Sequence, residues 1–427
     1  MKRLLALPLA AFAAASTQAS DPVTWRGSTE IAAGRAERGL WRMNESRFDY
    51  VDDPSVALDD QGNAAIVWVD QARKDVFFQG ISHAGAKRGE PVNVSRSPKV
   101  FSWLPRVALS PREPRRAYVL WQEIIFSGGS HGGDILFARS EDGGKSFSAP
   151  LNLSNSVAGD GKGRIHRTFW HNGSLDLAAG AEAIYAAWTE YEGALWFARS
   201  GDGGRSFSPR RQIAGGGKEK PARAPALALG PGRIVYLAWT VGEDDAADIR
   251  VARSADGGAN FGKPAIVAPS RGYSDAPKLA VDSHGTLHLA YAESSGGPFD
   301  PARIRYTRSK DGGANFEPPR ELSAPDARFP ALSTDAKGNL YLLWEIFPDP
   351  RRYPRGLALT VSRDAGKSFS PPATVPGSID PGGGWNGSNQ GFLMRKLAVN
   401  RAGAVAIVNS SLKPNDASRV WLMRGAL

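Results

Sequence analysis

Three kinds of segment carry residues that could do chemistry. In the first, an aromatic residue is followed two positions later by a carboxylate: Trp121-Gln122-Glu123, Trp188-Thr189-Glu190 and Tyr291-Ala292-Glu293, with Asp70 and Glu345 in matching places. Such acids can move protons or accept hydrogen bonds from sugar hydroxyls; as plain strand ends they are simply solvated. In the second, Arg271, Tyr273 and Asp275 stand close together, and Arg328, Arg352 and Arg355 can join Arg271 around an anion. A planar guanidinium binds a carboxylate through two parallel bonds and stays charged. In the third, RIHRTFWHNGS (164–174) brings together Arg167, Trp170, His171 and Asn172, while PGGGWNGSNQGF (381–392) holds Trp385 and Asn386. Aromatic plus Asn in an irregular loop suits stacking on a sugar and hydrogen bonding to it; alternatively Trp packs the loop and Asn makes its turn. No spacing assigns roles among these residues.

Composition narrows the chemistry further. The 427-residue chain has no Cys, which removes disulfide scaffolds, thiolate metal sites and thiol nucleophiles. Phosphate loops, serine nucleophile elbows and HExxH are missing, so no cofactor and no metal are expected. The start, Met1-Lys2-Arg3 followed by LLALPLAAFAAA and Ser16-Thr17-Gln18-Ala19, reads as a signal peptide over 1–19, with an exported, periplasmic or secreted chain over 20–427. Its apolar run is too short to span a bilayer, and no later segment approaches that length. The net charge of +10 is dispersed over short segments. Weak attraction to acidic glycans or headgroups fits that pattern, as does a plain solvated surface; nucleic acid is not expected in an exported protein.

Self-similarity sets the architecture. RSEDGGKSF (139–147) recurs as RSGDGGRSF (199–207), RSADGGANF (253–261) and RSKDGGANF (308–316), and again as VSRDAGKSF (361–369), at steps of 60, 54, 55 and 53 residues. Gly-Gly supplies left-handed turn positions, and Ser and Asp bond nearby N–H groups, so each copy is a hairpin turn. Upstream of each lies a strand, a turn and a second strand ending in an aromatic, as in PALALGPGRIVYLAWT (225–240). Four strands per unit is one propeller blade. Units start near 54, 105, 174, 225, 277, 330 and 396. The expectation is an all-β propeller of seven blades, with six kept open in case an end unit is miscounted. The last unit stops after its third strand, RVWLMR (419–424), and VTWRGSTEIAA (23–33) is the expected donor of the fourth.

The turn Ser140-x-Asp142-x-Gly144-x-x-Phe147 and its four counterparts resemble the Asp box, or BNR repeat, of the sialidase superfamily. The resemblance spans roughly residues 54–427. It implies that Asp142, Asp202, Asp256, Asp311 and Asp364 fasten turns on the face opposite a substrate pocket, with Phe147 and its equivalents packed into the blade. It also implies a site chemistry: three arginines on a substrate carboxylate, a Tyr nucleophile relieved of its proton by Glu, and an Asp acid/base. Arg328, Arg271, Tyr273, Asp275, Glu293 and Glu190 are the candidates here. The family's Arg-Ile-Pro in the first blade is replaced by Asp53-Pro54-Ser55. Arg-x-Pro does occur at Arg223-Ala224-Pro225 and Arg328-Phe329-Pro330; a permuted ring or coincidence explains them, and with 30 Pro coincidence is the simpler. The expected function is binding of a glycan or acidic ligand at the channel mouth by a monomer, with sialoside hydrolysis as its enzymatic form. A noncatalytic scaffold for protein assembly or surface binding is the competing class.

Overall fold

The computed structural model describes residues 22–40, 42, 44–123, 134–154, 175–190, 193–242, 247–269, 272–297, 300–349, 353–387 and 395–427. Within them, seven antiparallel sheets form the blades of a propeller. The first strands of blades 1 to 7 are Val51–Leu58, Ser102–Leu109, Leu175–Ala179, Ala222–Leu229, Tyr273–Val281, Ala327–Thr334 and Leu397–Val399. Each touches the first strand of the next blade, and the seventh touches the first, so the ring closes. The repeat count is the blade count.

Blade 7 is completed as its truncated repeat requires. Thr24–Gly34 pairs antiparallel with Ala417–Ala426, from Thr24 opposite Ala426 to Gly34 opposite Ser418. This covers an edge that would otherwise present unpaired N–H and C=O groups. One feature is unanticipated: Trp385–Asn386 pairs with Ser411 and Leu412, sharing the inner edge of Ala404–Lys413 with Leu397–Val399.

The core lies between blades rather than within them. One apolar cluster joins Ile66, Trp68 and Phe77 of blade 1 to Val408, Val420 and Leu422 of blade 7, with Ile31 of the N-terminal strand. The next joins Val67 and Phe78 of blade 1 to Val119 and Trp121 of blade 2. Because both faces of an inner strand are covered, second strands read as continuous apolar runs rather than alternating ones. Ala64 to Val69, Ala-Ala-Ile-Val-Trp-Val, are all buried.

The five DGG-type turns share one hydrogen-bond pattern. In the first, Ser140 Oγ donates to Asp142 Oδ1 (2.8 Å), Gly144 N–H donates to Ser140 Oγ (2.8 Å), and Ser146 donates through its amide (3.0 Å) and hydroxyl (2.6 Å) to Asp142. Their aromatics pack against their own blades, as the resemblance implies, and also reach across to clasp the preceding one. Phe147 meets Phe78, Phe207 meets Phe137, Phe261 meets Phe197 and Phe369 meets Tyr306, with ring centroids 4.8–5.2 Å apart. Gly144 has φ +86°, and a Cβ there would lie 2.0 Å from the Phe78 ring, so the turn needs glycine twice over. Arginines add to the clasp: Arg199 donates to the Gly257 carbonyl (2.9 Å) and Arg308 to that of Ala365 (2.6 Å), each in the following blade's turn.

These turns make the fold acid-sensitive. Slight burial works to raise the Asp142 carboxyl, but donors from Ser146, Ser140 and Lys145 outweigh it and hold it at about 2. Asp311, bonded first by the Asn315 amide, is also near 2. A carboxylate depressed in the folded state contributes stability above its unfolded pKa, roughly 4, and loses it as pH falls through the folded value. Urea midpoints should therefore drop between about pH 4 and pH 2. Asp142→Asn should cost about 1 kcal/mol at pH 7 and show a shallower acid decline than the parent.

Candidate ligand site at the channel mouth

The hairpin turns lie at one end of the ring, tied to the first-to-second strand loops, as in the Gly143 N–H bond to the Arg115 carbonyl (2.8 Å). The starts of first strands and the ends of second strands gather at the other end, which is the mouth. There five blades repeat one device. Asp53, Leu104, Ala224, Ala276 and Phe329, each preceding a proline, adopt φ of 51–54°. At each, the first strand slips register against the second. Proline disfavours the right-handed region for the residue before it, and the left-handed alternative costs a non-glycine residue roughly 1–2 kcal/mol. Strain repeated around a rim is a mark of a constrained site. Ala224, Ala276 and Phe329 touch one another and form an apolar lip over blades 4 to 6.

Just before the lip residues stand Arg223, Asp275 and Arg328. Arg223, almost fully buried, lies 2.9 Å from Asp275 Oδ1, and its guanidinium covers the Tyr273 ring at 4.8 Å. Thr240 Oγ1 donates to Asp275 (3.1 Å). Arg328 lies over the Phe347 ring (5.5 Å) and donates to the Asp300 carbonyl. Burial pulls its pKa down, opposed by the charges of Asp275 and Asp300 and by Tyr273. Three consecutive blades thus bring two arginines, one tyrosine and one aspartate to a common rim. The two Arg-x-Pro tripeptides occupy equivalent positions in their blades, because each carries the pre-proline bulge that five blades share.

The remaining candidates are placed differently. Glu293 is bonded by Arg305 Nε (2.7 Å), and Glu190 by Arg210, which lies over Trp196 at 4.3 Å. Trp385 is half-buried and stacked on Tyr353, with centroids 4.5 Å apart and planes at 15°. Asn386 is buried: its Oδ1 accepts from Gly356 N–H (3.0 Å) and Asn409 Nδ2 (3.0 Å), and its Nδ2 donates to the Gly356 carbonyl (2.9 Å) and Glu345 (3.3 Å). Arg271, Arg167, Trp170, His171 and Asn172, with Arg352, lie outside the described residues. Among the other acids ending second strands, Glu123 accepts from the Trp121 indole (3.1 Å). Burial, with Asp75 and Asp134 nearby, pushes it up to about 7 against that bond. The aromatic-x-acid spacing places ring and carboxylate on one face of a strand, which is why they meet.

Sequence reasoning passed over the buried ion pair of Lys396 and Glu345 (2.6 Å) and, deeper in, Asp176, Lys278 and Arg395, which line a central channel of about 350 Å3. The available signal was alignment of the first strands, where charged residues take positions held elsewhere by Ser or Ala. Among the described residues no cluster of His, Asp and Glu is arranged to hold a metal ion.

No family model matches the chain, and no curated protein is similar to it in sequence. Solved structures do share its fold. The polysaccharide lyase Uly1 superposes with a TM-score of 0.60 at 10% identity, covering 95% of this chain and 100% of that one. The lectin BP39L from Burkholderia pseudomallei gives 0.56 at 13% identity, over 88% and 98%. A PL25 ulvan lyase bound to -[GlcA(1-4)Rha3S]- gives 0.55 at 14%, over 87% and 94%. At these identities the likeness is one of fold: the chain is a seven-bladed propeller of the architecture these proteins share.

Proposed function

We propose that the protein is an exported carbohydrate-binding propeller that takes an acidic glycan at its channel mouth. The observation that carries this reading is the convergence of Arg223 and Arg328 on either side of Tyr273 and Asp275 beneath an apolar lip. The partly exposed Arg328 guanidinium supplies the fork for a carboxylate or sulfate, Arg223 being paired with Asp275, and the lip and half-buried aromatics supply sugar-facing surface. That propellers of the same fold include two polysaccharide lyases and a lectin supports the carbohydrate class.

Binding is favoured over hydrolysis because Tyr273 lies beneath Arg223, and its nearest acid, Asp275, is already paired with that arginine. Glu190 and Glu293, the acids the sialidase resemblance would use, are held by Arg210 and Arg305. Sialoside hydrolysis is the second reading, carried by the adjacency of Tyr273 and Asp275.

An array of uronate-containing, sulfated and sialylated glycans, with fluorogenic sialoside turnover in parallel, tests both. Arg328→Ala should weaken binding on the order of 10- to 100-fold, the value of a lost charged hydrogen bond. No acidic glycan retained, or equal retention by Arg328→Ala, overturns the proposal and favours a protein-binding scaffold.

A further inference from the structure

We propose that the channel beneath the mouth is a binding site for a small anion, a halide or a carboxylate-sized oxyanion, seated on the ammonium of Lys278.

The argument starts from one position in the repeat. In the bulged first strands the residue after the proline holds one register position; there blade 2 has Arg106 and blade 5 has Lys278, and Asp176 of blade 3 takes the equivalent register opposite Ala187. Asp176 is already engaged. Arg395 donates to its Oδ1 (2.6 Å) and Leu227 N–H to its Oδ2 (2.8 Å). Arg106 donates to the carbonyls of Leu104 and Pro105 (3.2 and 3.3 Å). Lys278 makes no hydrogen bond or ion pair with any described residue, and it lines the channel.

Charge around this point is unbalanced. Lys278, Arg106 and Arg395 face the single carboxylate of Asp176. Asp275 is the other acid near Lys278, and it is paired with Arg223. Asp53 acts on Arg106 and not on Lys278. Below this neck the channel walls are mostly aliphatic, including Ala57, Ala228 and Leu279, with the hydroxyls of Ser333 and Thr334 and no further acid. Excess positive charge beside such a channel is relieved in one of three ways. Channel water can solvate it, as the partial exposure of Lys278 allows. Lys278 can shed its proton, and burial does push it down, to about 8, against the pull of Asp176. Or an anion can enter and hold the proton in place. A cavity of about 350 Å3 leaves room for an anion with several waters.

Bromide is the probe. Thermal unfolding of the full chain should show a saturable rise of a few degrees with sodium bromide, because a ligand bound only by the folded state stabilises it. Crystals grown with bromide should show bromine anomalous density beside Lys278 Nζ. Lys278→Met and Lys278→Gln remove an unbalanced charge, so both should fold, and both should lose the saturable response and the density. Arg328→Ala should keep both, which separates this site from glycan binding at the mouth. A bromide dependence shared by the parent and both Lys278 variants, or a channel without bromine density, overturns the proposal.

Discussion

Lys396→Met should destabilise the protein by about 3–5 kcal/mol at neutral pH, the range for removing one partner of a buried ion pair. Lys396 and Glu345 are each almost fully buried and 2.6 Å apart, and Lys396 also donates to Asn409 (2.8 Å). Burial already raises the Glu345 pKa, with Lys396 and Asn386 holding it back. Without Lys396 the carboxyl rises further, so the folded state binds a proton that the unfolded state gives up. Stability then falls as pH rises through the unfolded pKa toward the folded one, and the penalty shrinks at low pH. Urea denaturation at pH 7 and pH 5 checks this: the gap between parent and variant should be smaller at pH 5. Adding Glu345→Gln should recover part of the loss at pH 7. A gap that does not change with pH would mean that the cost is lost packing rather than a stranded charge.

Removing residues 22–34 should be the most damaging change outside the inner strands. It strips the outer strand from blade 7, exposes the edge of Ala417–Ala426 and takes Ile31 out of the cluster between blades 7 and 1. It also leaves apolar surface from Trp421 and Met423 uncovered. An open edge beside exposed apolar residues pairs with other chains. Size-exclusion chromatography should show the truncated chain eluting as oligomers or aggregate larger than the parent. Ile31→Ala, which keeps the strand, should cost about 2–5 kcal/mol, as deletion of a buried aliphatic side chain does, and elute with the parent. A truncated chain that elutes with the parent and keeps its melting temperature would show that the seventh blade stands without its outer strand.

The legible part of this protein is what repeats locally. The DGG turns are written within nine residues, because their left-handed positions favour glycine, with Ala365 as the exception in the fifth turn, and the Ser and Asp that close them are neighbours in sequence. Seven copies of a strand–turn–strand unit, with the last one strand short, were enough to predict the donor at 23–33. The reach of each turn's aromatic was not legible: nothing near Phe147 in sequence shows that it packs against Phe78 of the preceding blade as well as against its own blade.

The candidate site divides in the same way. Arg328, Tyr273 and Asp275 could be proposed as chemistry-bearing residues, yet nothing in their spacing brought in Arg223 from 52 positions upstream of Asp275 or turned Glu293 toward Arg305. Arg395 meets Asp176 across 219 residues because the first strands of all blades line one narrow channel, across which the two residues meet. Periodicity and turn chemistry therefore determined the architecture, since both depend on residues close in sequence. Which charges meet at the mouth and in the channel was decided by the folded ring, since side-chain partners there come from different strands or different blades and are selected by burial rather than by spacing.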